Sequence, residues 1–162
     1  MGAVHPRVLG TLGRALSLEL SAVQQYMTQA SLLELWGDHD GAARFRRETV
    51  EEMRHAETLV QRMLALGAAP AASQLRPVTH ASDLAGLLRQ NLVLERDLIR
   101  LYAEAVRFTL LIDDQPSCAL FTALLDDEEQ HLLDLNAWLA NLSLSASPFG
   151  NPDRDPDARA TF

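Results

Sequence analysis

The sequence predicts an all-α protein: a four-helix bundle made of two antiparallel helix pairs joined by one long crossover. Three observations predict it. Apolar residues recur at three- and four-residue steps along four long stretches. The second half of the chain repeats the first at an offset of 76 residues, which pairs Leu12 with Leu88, Leu16 with Leu92, Tyr26 with Tyr102, Phe45 with Phe121 and Leu59 with Leu135. A single long breaker segment, residues 67–81, separates the halves and carries Gly67, Pro70 and Pro77.

The first stretch runs from about Pro6 to Trp36, with Leu9, Leu12, Leu16, Val23, Ala30 and Leu33 on one stripe and Glu19 and Tyr26 on the same face. Gly37 ends it and Asp38 or Asp40 caps the next helix, so the chain turns tightly. That second helix starts near His39 and reaches about Leu66, carrying Phe45, Glu48, Glu52, His55 and Leu59 on one face. Fifteen extended residues reach about 50 Å and a helix of some 27 residues is about 40 Å long, so the segment 67–81 can run the full length of a bundle. Ser82 and Asp83 cap a third helix, whose inner stripe is Leu84, Leu88, Asn91, Glu95, Leu98 and Tyr102 and which ends near Asp113. Residues 114–117, with Pro116, form a short turn into a fourth helix bearing Phe121, Leu124, Glu128, His131, Leu135, Trp138 and Leu142. The bundle therefore occupies residues 1–144, and the proline-rich residues 145–162 form an irregular tail.

Within this frame one constellation carries chemistry. Glu52 and His55 sit three apart on an apolar stripe, Glu128 and His131 repeat the pattern, and Glu19 and Glu95 each stand 33 residues upstream of their pair. Residues three apart on a helix share a face. A crossover that relates the first helix to the third by a two-fold axis brings all four acids to one level. Burying four carboxylates unpaired is prohibitive, and two divalent cations neutralise them, partial protonation being the alternative. Carboxylate and imidazole ligands without thiolate suit iron or manganese, with zinc as an adventitious occupant. Glu52 and Glu128 are assigned as carboxylates bridging two ions, Glu19 and Glu95 as terminal ligands, and His55 and His131 as one nitrogen ligand each. Two adjacent ferrous ions with open positions can each give an electron to dioxygen. Tyr26 and Tyr102, seven residues after Glu19 and Glu95, are either electron donors to such a centre or core aromatics.

Composition excludes several other classes. With 14 basic against 22 acidic residues, the net charge of −8 repels nucleic acid and anionic lipid and attracts cations. No run approaches the roughly 18 apolar residues of a membrane span. The lone Cys118 excludes an internal disulfide and suits a reducing, cytoplasmic setting.

The segments SLELSAVQQY, ETVEEMRHAE, NLVLERDL and LLDDEEQHLLDL resemble the helix cores of bacterioferritins, within the ferritin-like superfamily, over about residues 5–142. The resemblance implies a ferroxidase centre in which Glu19, Glu52, His55, Glu95, Glu128 and His131 oxidise Fe(II) with dioxygen or peroxide, with Tyr26 beside it. It also implies iron storage in a 24-subunit shell and haem b held between two subunits by a methionine from each, at the position of Met53. Met53 follows Glu52 and points about 100° away from it, toward a neighbour, with Leu20, Val23, Met27, Val50, Ala56 and Val60 as apolar company at a two-fold dimer interface. The chain departs from the family pattern in carrying Met27 and Arg46 where aromatic residues flank the haem, Arg47 and Glu51 where cavity residues handle iron, and a C-terminus without the family's fifth helix. Two alternatives follow from these departures. One is a smaller di-iron protein that forms no cage and acts as an oxidase, a peroxidase or an oxygen-dependent enzyme on an organic substrate, and the other a haem-binding or adaptor subunit that partners another ferritin chain.

Overall fold

A computed structural model describes residues 4–70 and 74–146. Four helices follow in order: α1 over Pro6–Leu35, α2 over His39–Ala65, α3 over Leu84–Leu111 and α4 over Gln115–Ser145. Among the described residues there is no strand. α1 packs along α2 and α3 along α4, while α1 also meets α3. This is the expected bundle of two antiparallel pairs.

The helix ends explain the register. Pro6 opens α1, where its missing N–H costs nothing, and the His5 side chain accepts from the Arg7 N–H. At the other end Gly37 takes φ 81°, and the Asp38 N–H reaches back to the Leu33 carbonyl at 2.9 Å. The Asp38 carboxylate then accepts from Gly41 N–H at 2.9 Å and starts α2. The second hairpin repeats the device 76 residues on. Asp113 takes φ 56° where the first half has Gly37, the Asp114 N–H bonds the Thr109 carbonyl at 2.9 Å, and the Asp114 carboxylate accepts from Ser117 N–H at 3.1 Å. Asp114 is thus the cap of α4, which begins at Gln115 with Pro116 in its first turn. The expected turn over residues 114–117 is therefore shorter than predicted, because proline is as good at a helix start as in a loop.

Residues described between α2 and α3 form no helix, and the segment is stitched along α1. Gln74 N–H donates to Ser17 Oγ at 3.2 Å, Arg76 N–H to Ser21 Oγ at 3.0 Å, Thr79 Oγ1–H to Gln25 Oε1 at 2.9 Å, and Gln29 Nε2–H to the Thr79 carbonyl at 2.9 Å. These α1 residues recur every four positions, on one line along the helix. Arg76 adds an ion pair to Asp97 of α3 at 2.6 Å.

The apolar core falls into two parts. One gathers Leu12, Leu16, Leu59, Leu98, Tyr102 and Phe121, and the other Tyr26, Leu33, Phe45, Leu88, Leu92 and Leu135. The matched pairs Tyr102–Phe121 and Tyr26–Phe45 lie in different parts, as a two-fold axis across the bundle requires. The expected C-terminal tail, and with it the missing fifth helix, lies outside the described residues beyond position 146.

Candidate metal centre

Between the two apolar clusters the four helices bring Glu19, Glu52, His55, Glu95, Glu128 and His131 together. All four glutamates are fully buried. His55 is nearly as enclosed, and the His131 side chain keeps 14% of its surface exposed. His55 Nδ1 lies 3.1 Å from Glu52 Oε2, 3.0 Å from Glu128 Oε1 and 3.7 Å from Glu19 Oε1. On the other side, His131 Nδ1 lies 3.3 Å from both Glu52 Oε1 and Glu128 Oε2. The two imidazole rings stack with centroids 5.7 Å apart and an interplanar angle of 22°.

Two sets of ligand atoms converge here, each with its atoms within 4.8 Å of one another. One comprises Glu19, Glu52, His55 and Glu128, the other Glu52, Glu95, Glu128 and His131. Glu52 and Glu128 belong to both. Five buried polar atoms in the cluster have no hydrogen-bond partner: Glu19 Oε2, Glu52 Oε1, Glu95 Oε2, Glu128 Oε2 and His131 Nδ1. Buried oxygens and nitrogens left unpaired on one small volume are costly unless a cation takes them. The donor set is hard oxygen with one imidazole per position, which suits divalent iron or manganese.

The protonation pattern has the same origin. Burial, and then the charge of Glu52, hold the Glu19 carboxyl well above the usual carboxylate range, and burial does the same for Glu95 beside Glu52 and Glu128. Burial alone would lower His131, but the Glu128 and Glu52 carboxylates, each 3.3 Å from its Nδ1, overcome it and push the imidazole up to about 11. His55 is raised likewise against its own burial, by the Glu128, Glu19 and Glu52 carboxylates gathered around its Nδ1. Glu128 would also be raised by burial, yet the two histidines beside it hold it below the carboxylate range. Without a cation, protons on Glu19, Glu95, His55 and His131 keep the cluster's charge in check.

Both tyrosines touch the centre, each on the helix opposite its sequence neighbour. The Tyr26 hydroxyl donates to Glu95 Oε1 and the Tyr102 hydroxyl to Glu19 Oε1. Both phenols are fully enclosed, and burial followed by the adjoining carboxylates pushes both up. Met53 sits outside the cluster, 55% exposed on the outer side of α2, with Met27 and Val50 also exposed.

Sequence reasoning missed two groups. Asp127 Oδ2 stands 3.3 Å from His55 Nε2 and Glu48 Oε2 3.8 Å from His131 Nε2, on the sides of the rings facing away from the shared carboxylates. The sequence placed Glu48 on the inner face but gave no sign of its partner, since each contact joins α2 to α4. A buried amide network, in which Gln25 Nε2–H donates to Asn91 Oδ1 at 2.7 Å and Asn91 Nδ2–H to Gln29 Oε1 at 2.8 Å, was signalled only by the four-residue spacing of polar side chains on α1.

A family model for the Ferritin-like domain matches residues 9–145. The bacterioferritin of Rhodobacter capsulatus is 34% identical over 126 residues, covering 78% of this chain and 78% of that protein. That of Brucella melitensis is 35% identical over 128 residues, covering 79% and 80%. Among solved structures, R. capsulatus bacterioferritin superposes with a TM-score of 0.84 at 30% identity, covering 93% of this chain and 99% of that one. That structure has a metal-free dinuclear site and its haem iron on a crystallographic special position. The bacterioferritin BfrA of Mycobacterium tuberculosis superposes with a TM-score of 0.85 at 27% identity, covering 90% of this chain and 91% of that one.

Proposed function

Since the chain belongs to the ferritin-like family, in its bacterioferritin branch, we propose that it is a ferroxidase that takes up Fe(II) at the buried centre, oxidises it with dioxygen or hydrogen peroxide, and stores the ferric product. The observation that carries this reading is the pair of converging ligand sets sharing Glu52 and Glu128, with unpaired oxygens left on all four glutamates. In this assignment Glu52 and Glu128 bridge two ions, Glu19 and Glu95 are terminal ligands, and His55 and His131 bind one ion each. Two Fe(II) ions held side by side supply two electrons to one oxidant molecule. The chain's own residues do the rest. Glu19 and Glu95 give up their protons as the cations enter, and His55 and His131 give up theirs. Tyr26 and Tyr102 hold Glu95 and Glu19 through their hydroxyls, which orients the terminal carboxylates and leaves a hydrogen atom within reach of the centre. The apolar clusters on either side keep bulk water out.

The same branch membership supports haem b at Met53. An exposed thioether on α2, one turn from the exposed Val50 and with Met27 of α1 exposed as well, fits a haem shared by two copies through one methionine each. The working unit in this reading is a cytoplasmic homo-oligomer built on that dimer. The bundle over residues 1–144 carries the chemistry, and light scattering after aerobic Fe(II) loading distinguishes a storage shell with many irons per chain from a dimer that stops at two.

Replacing both Glu52 and Glu128 by Ala removes the shared ligands and abolishes oxygen-dependent Fe(II) oxidation, read as the rise of ferric absorbance. Survival of the oxidation in a folded double variant overturns the catalytic assignment. Met53→Leu loses bound haem while retaining oxidation, and unchanged haem content removes Met53 from the account.

A further inference from the structure

The net charge of −8 is a sum, and the fold does not spread it evenly. Because α1 meets α3, these two helices and the crossover stitched to them make one side of the bundle, with α2 and α4 on the other. Outside the buried centre, α2 and α4 carry eight acids against five arginines, all five of them on α2. Helices α1 and α3 reverse the balance, with six arginines against Glu34, Asp97 and Glu104, and the crossover adds Arg76.

The placement of these arginines is regular. Arg89, Arg96, Arg100 and Arg107 are exposed and fall at steps of seven, four and seven residues, so they form one stripe along α3, opposite its buried Leu98 and Tyr102. The stripe is about 27 Å long. From α1, Arg7 lies 4.2 Å over the Phe108 ring, and Arg14 lines one groove with Arg76 and Leu101. The cations therefore gather at two levels. Arg7 and Arg107 make one, while Arg14, Arg76, Arg96 and Arg100 make the other, about 13 Å along α3. The helix itself gains nothing from this pattern, since Arg96 and Arg100 are like charges four residues apart, which is destabilising. Asp97 takes Arg76 at 2.6 Å and stands 3.7 Å from Arg100. Among the described residues no acid comes within 4.0 Å of the Arg89, Arg96 or Arg107 guanidinium.

We propose that this side of the bundle is a docking surface for the phosphate backbone of double-stranded DNA, bound without regard to sequence. Guanidinium groups grip phosphate oxygens through paired N–H donors. The two strands that border a groove about 12 Å wide match the two levels of arginine. A folded protein fits this surface less well, because such interfaces rest on apolar and aromatic anchors. Between Arg89 and Arg107 the stripe exposes one large apolar residue, Val93. Single-stranded nucleic acid lacks its usual platform too, as the nearby Phe108 ring is already covered by Arg7. The overall negative charge does not prevent docking. The acids of α2 and α4 lie about 20 Å away across two helix layers, and at physiological ionic strength charges are screened beyond about 8 Å. Arg14 stands about 140° round α1 from Met27, so the surface is also clear of the proposed dimer contact.

The test is fluorescence anisotropy of labelled duplexes of several unrelated sequences, about 30 base pairs long and so longer than the stripe, titrated with the full-length protein. Six phosphate contacts predict binding that is equal for all sequences and falls about a thousandfold between roughly 50 and 200 mM salt. The double variant Arg96→Gln, Arg100→Gln binds at least tenfold more weakly at the lower salt, and with two contacts fewer its fall over the same range shrinks to about a hundredfold. Arg54→Gln, which removes an exposed charge from α2 instead, leaves affinity and salt dependence unchanged. No binding at the lower salt overturns the proposal, as does equal binding by the double variant. Poly-L-glutamate that competes the duplex away at equal charge makes this a surface for an acidic protein and overturns the assignment to DNA. The ferroxidase reading stands or falls separately, since the surface shares no residue with the metal centre and Fe(II) oxidation is unchanged in the double variant.

Discussion

At the scale of single residues, the centre is a contest between protons and cations for the same oxygen and nitrogen atoms. Glu19, Glu95, His55 and His131 all hold protons more tightly in the fold than in free solution. Two divalent cations carry the charge of four protons, so loading the centre at neutral pH with Mn(II) or Zn(II), which involve no oxidation, releases about four protons per chain. Indicator dye in weak buffer measures this, and release of none places the ions elsewhere. Uptake accordingly weakens as pH falls. Asp127 belongs to this scale too: at 3.3 Å from His55 Nε2 it steadies the ring from behind. Its carboxylate is 62% exposed, so Asp127→Ala weakens metal binding at the lower end of the range for such outer partners, about tenfold, by titration with Mn(II).

At the scale of helices and turns, stability rests on devices that the two halves share and on one that they do not. Both hairpins end a helix with a left-handed residue followed by an aspartate cap, but the first uses Gly37 and the second Asp113. A Cβ in that region costs about 1 kcal/mol or more. Gly37→Ala therefore destabilises by about that amount, and Asp113→Gly stabilises by somewhat less, since glycine also loosens the unfolded chain. Urea midpoints of the two variants, moving in opposite directions, check the prediction. The unshared device is the line Ser17, Ser21, Gln25 and Gln29 that stitches the crossover to α1. Gln25 holds Thr79 and Asn91 at once, so Gln25→Leu strands the buried Asn91 Oδ1 and costs about 1–3 kcal/mol. Hydrogen exchange at Thr79 should quicken in the same variant.

For the molecule as a whole, the metal-free bundle carries its least stable groups at its middle. The folded-state value of His131, about 11, lies above its ordinary value of about 6.5. The stabilisation it contributes is complete below pH 6.5 and is lost as pH rises toward 11. Glu19 and Glu95, also raised, act in the same direction from the carboxylate range upward. The metal-free protein thus melts at lower temperature as pH rises from 6.5 to 9. Cations that replace the protons reverse the trend, and Mn(II) raises the melting temperature more at pH 8 than at pH 6. A melting temperature indifferent to both variables contradicts a cluster held together by exchangeable protons.

By itself the sequence determined the all-α architecture, the long crossover, the level at which the acids meet, and the six side chains of the proposed centre. It could do so because helical periodicity converts a spacing of three into a shared face, and because a repeat of 76 residues places the same chemistry on both halves. Only the tertiary structure decided which groups touch across helices. Tyr26 reaches Glu95 rather than Glu19, Asp127 stands behind His55, and Trp138 meets Phe45 edge to face. Each of those contacts joins residues far apart in the chain, and no local period encodes the angle and depth at which two packed helices bring their side chains together. The repeat predicts two equal halves, whereas packing makes them unequal: Tyr26 meets Phe45 edge to face, while Tyr102 lies tilted against Phe121.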